Sequence, residues 1–224
     1  MTQKAGGKAA GSTPHDYDRA VFINCPFNPN FADSLHAIIF AVVCCGMKPR
    51  SALSAANVAD TRIERLAQEL CSCRYSIHDL SLLKADEKTG VAHMNMPLEL
   101  GMAVALHRAP RRSNDPLRHD WTALVLTNSA YTDALSDANG NDLQRYSTRK
   151  ELVAEIMYWL TPRVTHAQVR ATPSSVDAEL DNLLGLLKRE GAAWFNKLPW
   201  MKTVDLAEDV ARAAHLLPGA GPAP

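Results

Sequence analysis

Four short apolar runs, each followed by a longer stretch with apolar residues at helical spacing, fill residues 19–160. Runs that are apolar throughout suit strands buried on both faces, and helical crossovers between them suit a parallel sheet covered on both sides. The runs are Arg19-Ala-Val-Phe-Ile-Asn-Cys-Pro-Phe27, residues 49–53, Tyr75-Ser-Ile-His-Asp-Leu80 and Trp121-Thr-Ala-Leu-Val-Leu-Thr127. Helices are predicted over 31–45, 60–73 and 148–160, with a further one that opens around Glu99 and ends near Arg108. The first buries Leu35, Ile38, Ile39, Val42 and Val43, takes Asn30 or Asp33 as its cap and stops at Gly46. The second carries Ile63, Leu66, Ala67 and Leu70 at helical spacing, and that over 148–160 stops at Pro162. Residues 84–93, 110–120 and 131–146 read as polar loops. Beyond them the spacing predicts an edge strand over 163–170 and two amphipathic helices, 174–189 and 204–217. The reading is an α/β domain over 19–170 and a helical appendage over 171–217. The tails, 1–18 and 218–224, are rich in small residues and expected to be disordered.

Charge and composition exclude several classes of function. Lys+Arg 24 balance Asp+Glu 24, so no overall field attracts nucleic acid or an anionic membrane. Arg108, Arg111 and Arg112 form a short basic cluster that reads as a solvated loop. The longest apolar stretch, 35–47, is interrupted by His36 and falls short of the roughly 20 residues needed to span a bilayer. The first 18 residues lack the apolar segment of a secretion signal. A soluble, cytoplasmic protein is expected, without membrane or direct nucleic-acid contact.

Cysteines stand at 25, 44, 45, 71 and 73. Adjacent helical positions point about 100° apart, so Cys44-Cys45 and Cys71-Ser-Cys73 do not converge on one ion as zinc knuckles do. All five read as reduced, buried or nearly buried residues, with no metal expected. No Gly-rich dinucleotide or phosphate loop is present, which argues against a dehydrogenase or a P-loop enzyme.

Two segments carry chemistry. Tyr75-Ser-Ile-His-Asp-Leu-Ser81 reads as a buried strand delivering Asp79 at its carboxyl end. Asn95-Met-Pro-Leu-Glu-Leu-Gly-Met-Ala-Val-Ala-Leu106 reads as a helix with Glu99 in its first turn, where the macrodipole favours an ionised carboxylate. An acid at a strand end followed by a loop and a helix bearing another acid is how open α/β sheets build small-molecule sites. Paired carboxylates are also what glycosidic-bond chemistry requires.

These motifs carry a resemblance. Leu98-Glu-Leu-Gly-Met-Ala-Val-Ala-Leu106, after a strand ending in Asp79, resembles the nucleophile segment of nucleoside 2-deoxyribosyltransferases, relatives of the Toll/interleukin-receptor-type NAD glycohydrolases. Val21-Phe-Ile-Asn-Cys-Pro-Phe27, Ile77-His-Asp-Leu-Ser81 and Asn95-Met-Pro-Leu-Glu-Leu-Gly101, in this order, resemble a narrower group of bacterial proteins. The likeness spans residues 21–160. It implies a flavodoxin-like, doubly wound parallel sheet. It also implies that Glu99 attacks or stabilises the anomeric carbon of a ribosyl group, while Asp79 binds ribose hydroxyls or assists proton transfer. Substrate contacts would come from Asn24, Pro26, Phe27, Arg62, Ser81, Asn95, Met96 and Gly101. No cofactor is implied, although NAD is a conceivable substrate. The narrower group carries acids between its second strand and the following helix, where this chain has Ser54 and Asn57. That departure touches the substrate contacts and activity itself.

Each residue also has a plainer reading. Asp79 can cap its loop, Pro26 can merely turn the chain, and Asn95 can cap the Glu99 helix. His78 alternates away from Asp79 and reads as a core or supporting histidine. Phosphate could be received at the Phe27-Asn28 turn, or at the start of the second helix beside Arg62. Asp137, Asn141 and Asp142 could edge the cleft or simply be solvated. Trp194, Phe195 and Trp200 could stack on a base but suit interhelical packing better. Two functions are expected. One is an N-glycosidase or ribosyltransferase acting on a nucleoside, nucleotide or NAD-like molecule, by family analogy an effector of bacterial defence. The other is a non-catalytic nucleotide- or metabolite-binding module. Self-association into a homo-oligomer is expected in either case.

Overall fold

A computed structural model describes residues 14–53, 61–81, 94–108, 120–128, 143–191 and 200–220. Five strands form one all-parallel sheet: β1 (Ala20–Asn24), β2 (Lys48–Arg50), β3 (Tyr75–Asp79), β4 (Thr122–Thr127) and β5 (Leu143–Arg145). Their order is β2-β1-β3-β4-β5, which is the flavodoxin-like arrangement. Every residue of β1 and β3 is buried, as strands covered on both faces must be.

Alternation along the strands sends Val21, Ile23, Tyr75 and Ile77 to one face and Ala20 and Phe22 to the other. The first face packs on α2 (Ala32–Cys44) and α5 (Arg149–Leu160), the second on α3 (Arg62–Cys71) and α4 (Asn95–Arg108). Helix α2 is apolar almost all round because it is buried all round. It lies between the sheet and α6 (Pro173–Arg189) and α7 (Trp200–Ala213). The C-terminal helices are therefore a layer of the main body: Val176, Leu180, Leu187, Val204 and Ala211 share one cluster with Leu35, Ile39 and Ile156. Trp200 is buried there, and its Nε1 donates to the Pro49 carbonyl at 3.3 Å. Its role is packing.

Local chemistry fixes the helix ends. Thr61, Thr148 and Thr172 each cap a helix through reciprocal bonds with the third helical residue, namely Glu64, Glu151 and Ser175. Gly46 closes α2 with φ +75°, a conformation suited to glycine.

Four expectations need correction. The fifth strand of the sheet is Leu143–Arg145, inside the stretch read as a polar loop. Of the edge strand expected over 163–170, only β6 (Ala167–Gln168) forms, and it pairs antiparallel with β7 (Gly219–Ala220), away from the main sheet. The tail expected to be disordered from 218 thus begins in a strand. The lead-in likewise ends in a helical turn, α1 (Pro14–Tyr17), with Tyr17 buried and Asp16 paired with Lys48.

All five cysteines are free; four are buried and Cys71 is half-buried. Burial pushes the Cys45 and Cys73 thiols up to about 12. Among the described residues no group of three or more His, Cys, Asp or Glu is placed to hold a metal, and no helix is long and apolar enough to cross a membrane.

Candidate active site at the carboxyl ends of the strands

The order of the sheet reverses between β1 and β3, and the crevice outside the strand ends at such a point is where open α/β sheets bind ligands. Asn24, at the end of β1, pairs in register with His78 of β3. Its Nδ2 donates to His78 Nδ1 at 2.9 Å and to the Met96 carbonyl in the first turn of α4 at 3.1 Å. With Nδ1 accepting, His78 carries its proton on Nε2 and donates it to Ser76 Oγ at 3.0 Å. Burial holds this imidazole neutral, its pKa lowered to about 3, with His107 acting in the same direction. His78 is thus a supporting residue. Asn24 Oδ1 is buried and has no hydrogen-bond partner among the described residues.

Glu99 is the fifth residue of α4, just beyond the first turn in which the sequence reading sets it. The helix begins at Asn95, so the carboxylate lies past the turn where the dipole acts strongly. It is only 5 % exposed. Burial pushes its pKa up, and the nearby guanidinium of Arg62 partly opposes this. Arg62, at the start of α3, approaches Glu99 Oε1 to 3.9 Å and is itself largely exposed. Among the described residues the Glu99 carboxylate accepts no hydrogen bond, so this buried acid has one distant cation and little else.

Asp79 is in a different situation. It follows Ile77 by the strand alternation onto the α2/α5 side of the sheet and is fully buried. Its Oδ1 accepts from the Ser81 amide at 2.9 Å and its Oδ2 from the Tyr146 hydroxyl at 2.8 Å. Ser81 Oγ lies 3.1 Å from the Tyr146 oxygen and accepts from the Asn128 amide at 2.9 Å. Desolvation raises the Asp79 pKa to about 6, although the bonds from Ser81 and Tyr146 pull it down. This closed network joins the ends of β3, β4 and β5. Sequence reasoning misses Tyr146; its only signal is an aromatic residue closing a polar stretch, immediately ahead of the Ser147-Thr148 helix start.

Cys25, just after β1, is fully buried, and its thiol is pushed up by burial and then by the charges of Asp79 and Glu99. Pro26 is buried beside it, and Phe27 packs against the main cluster.

The two expected phosphate positions are occupied by the chain itself. Asn28, not Asn30 or Asp33, caps the turn after β1 by accepting from the Asn30 amide at 2.9 Å. At α3, Thr61 takes the Glu64 amide and Glu64 takes the Thr61 amide. Asn95 is exposed at the start of α4, while Met96 is buried and offers its carbonyl to Asn24. Gly101 faces outward, and a Cβ added there would meet nothing within 4 Å, so it is not part of the cluster around Glu99. Ser54, Asn57, Asp137, Asn141, Asp142, Trp194 and Phe195 lie outside the described residues. Comparison with protein-family models, with curated proteins and with solved structures yields no match.

Proposed function

We propose that this protein cleaves or transfers at the N-glycosidic bond of a nucleoside, nucleotide or NAD-like dinucleotide, with Glu99 as the reacting carboxylate. One observation carries the reading. A buried carboxylate without hydrogen bonds is costly in a folded chain, and among the described residues Glu99 holds such a position at the carboxyl edge of the sheet with Arg62 as its one ionic partner. A developing oxocarbenium ion is the kind of partner such a group lacks. In the proposed reaction a Glu99 oxygen bonds to the anomeric carbon as the bond to the base breaks, and water or an acceptor nucleoside then releases the sugar. Arg62 favours the ionised form that attack requires. Motif likeness to nucleoside 2-deoxyribosyltransferases and Toll/interleukin-receptor-type NAD glycohydrolases supports the same chemistry, and an NAD substrate would fit a role in bacterial defence.

A binding module is favoured by a separate observation: both oxygens of Asp79 are engaged by Ser81 and Tyr146, which leaves this acid a structural role. Incubation of the protein with NAD and a panel of nucleosides and nucleotides, with free base followed by chromatography, separates the two. Base release supports the enzyme. A ligand-dependent rise in melting temperature without release supports the module.

A further inference from the structure

A side-chain hydrogen bond ties the inward side of α4's first turn to the sheet. Asn24, at the end of β1, is fully buried, and its Nδ2 donates both to the Met96 carbonyl and to His78 Nδ1. An asparagine amide can be turned end for end with almost no change of shape. Here Met96 settles the direction, because a carbonyl oxygen can only accept. The reverse orientation would set Oδ1 against that oxygen. His78 agrees with the same orientation: its Nδ1 accepts, and Ser76 Oγ takes the proton on Nε2 at 3.0 Å. Phe22 lies beside the imidazole, with ring centroids 6.5 Å apart, and completes the frame.

Met96 and Glu99 stand three residues apart on α4 and are both buried, so they share one side of the helix. The carbonyl that Asn24 holds therefore belongs to the turn from which Glu99 projects. Met96 and Leu100 also pack on Leu80 and Val125. Such apolar contacts press the helix onto the sheet but have no direction, whereas a hydrogen bond fixes distance and angle. Arg62, largely exposed and 3.9 Å from the carboxylate, holds it only loosely. An apolar residue of the same size would fill the place of Asn24 without leaving Oδ1 unpartnered among the described residues; it could not hold Met96. We infer that Asn24 is a positioning residue: through the Met96 carbonyl it fixes where the Glu99 carboxylate stands, with His78 and Ser76 keeping its amide in the direction this requires. The inference rests on the reading of Glu99 as the reacting group. A misplacement of about 1 Å costs on the order of 100-fold in rate, while contacts to the rest of the substrate are kept.

Steady-state kinetics on the substrate that the panel identifies tests this with Asn24→Leu, His78→Leu and His78→Asn. Asn24→Leu fills the space and removes both donations. His78→Leu removes the acceptor that helps to aim the amide, and His78→Asn keeps an acceptor where Nδ1 stands. The expected result is a kcat lowered about 100-fold by Asn24→Leu and about tenfold by His78→Leu, with KM within about threefold of the parent. His78→Asn should recover kcat to within about threefold. The His78 pair decides the matter should Asn24→Leu not fold. Lower stability with kcat unchanged would overturn the inference, and so would His78→Asn as slow as His78→Leu. Carbon-13 NMR titration of the Glu99 carboxyl gives a readout apart from activity. Asn24→Leu should shift its midpoint, and Tyr158→Ala, on α5 across the sheet, should not. A parent protein that releases no base overturns the reading of Glu99 alone; a midpoint unmoved by Asn24→Leu overturns the positioning role.

Discussion

Glu99 and Asp79 are both buried acids at the carboxyl end of the sheet, yet their surroundings assign them different work. Glu99 has Arg62 at 3.9 Å and no hydrogen bond among the described residues; Asp79 has a donor on each oxygen. If the ionised form of Glu99 is the reactive one, activity should fall in acid at a pH above the ordinary carboxylate range, because burial raises its pKa. Arg62→Ala removes the opposing charge and should move that acid limb higher still, as a pH–rate profile of each protein would show. For Asp79 the linkage runs the other way from that of a salt-bridged carboxylate. Its pKa rises from 3.8 to about 6 on folding, so its stabilising contribution is complete below 3.8 and is lost as pH climbs through about 6. Asp79→Asn should therefore gain melting temperature relative to the parent between pH 4 and pH 7, by up to roughly 3 kcal/mol of stability, and hold that difference above. Tyr146→Phe leaves Asp79 Oδ2 without its donor and should cost about 1–3 kcal/mol, read by denaturant titration.

At the scale of elements, the sequence is readable where periodicity and caps agree. Helix α2 follows the predicted buried stripe, and Thr148 with Glu151 marks the start of α5 by composition alone. Strand β5 is not readable. Leu143-Gln144-Arg145 has no β-branched residue and no apolar alternation, and it is a strand because β4 offers it an edge at Val125–Thr127. The opposite error arises at 163–170, where Val164, Thr165 and Val169 look like strand residues but only two positions find a partner. The Glu99 helix is legible, but Asn95 and Pro97 both resemble helix starts, and a start at Pro97 would put Glu99 in the first turn. That small offset changes the electrostatics from a dipole-stabilised acid to a desolvated one. Gly46 tests the element ends: at φ +75°, with Pro218 Cγ 2.7 Å from any added Cβ, Gly46→Ala should destabilise by about 1–2 kcal/mol and loosen the C-terminal segment, visible as faster amide exchange there.

Across the whole molecule, one sheet separates two chemistries. The α2/α5 face, thickened by α6 and α7, holds the larger apolar cluster and the Asp79–Ser81–Tyr146 network; the α3/α4 face holds Asn24, His78 and the approach to Glu99. Two histidines are buried neutral, His36 with its pKa lowered to about 4 and His78 to about 3. Depressed pKa values give stability that is present above 6.5 and lost as pH falls, because the unfolded chain binds the protons. Asp79 acts oppositely over part of this range, but two histidines outweigh one aspartate. Stability should fall by about 2–3 kcal/mol between pH 7 and pH 5, and His78→Asn should flatten that slope in denaturant titrations at the two pH values. Both acids of the candidate site, Asp79 at a strand end and Glu99 near a helix start, can be picked out in the sequence, but not that Asp79 has a donor on each oxygen. The residues that tie Asp79 down are not legible, because Tyr146 reaches it across 67 positions of chain, and no local pattern signals such a contact.

The central claim is that Glu99 is the reacting group, and the most direct measurement is base release by the parent protein beside Glu99→Gln on the substrate that the panel identifies. The substitution is nearly isosteric and removes only the charge. It should lower turnover by roughly three orders of magnitude while the ligand-dependent rise in melting temperature persists. Base release by Glu99→Gln at the parent's rate would contradict the account.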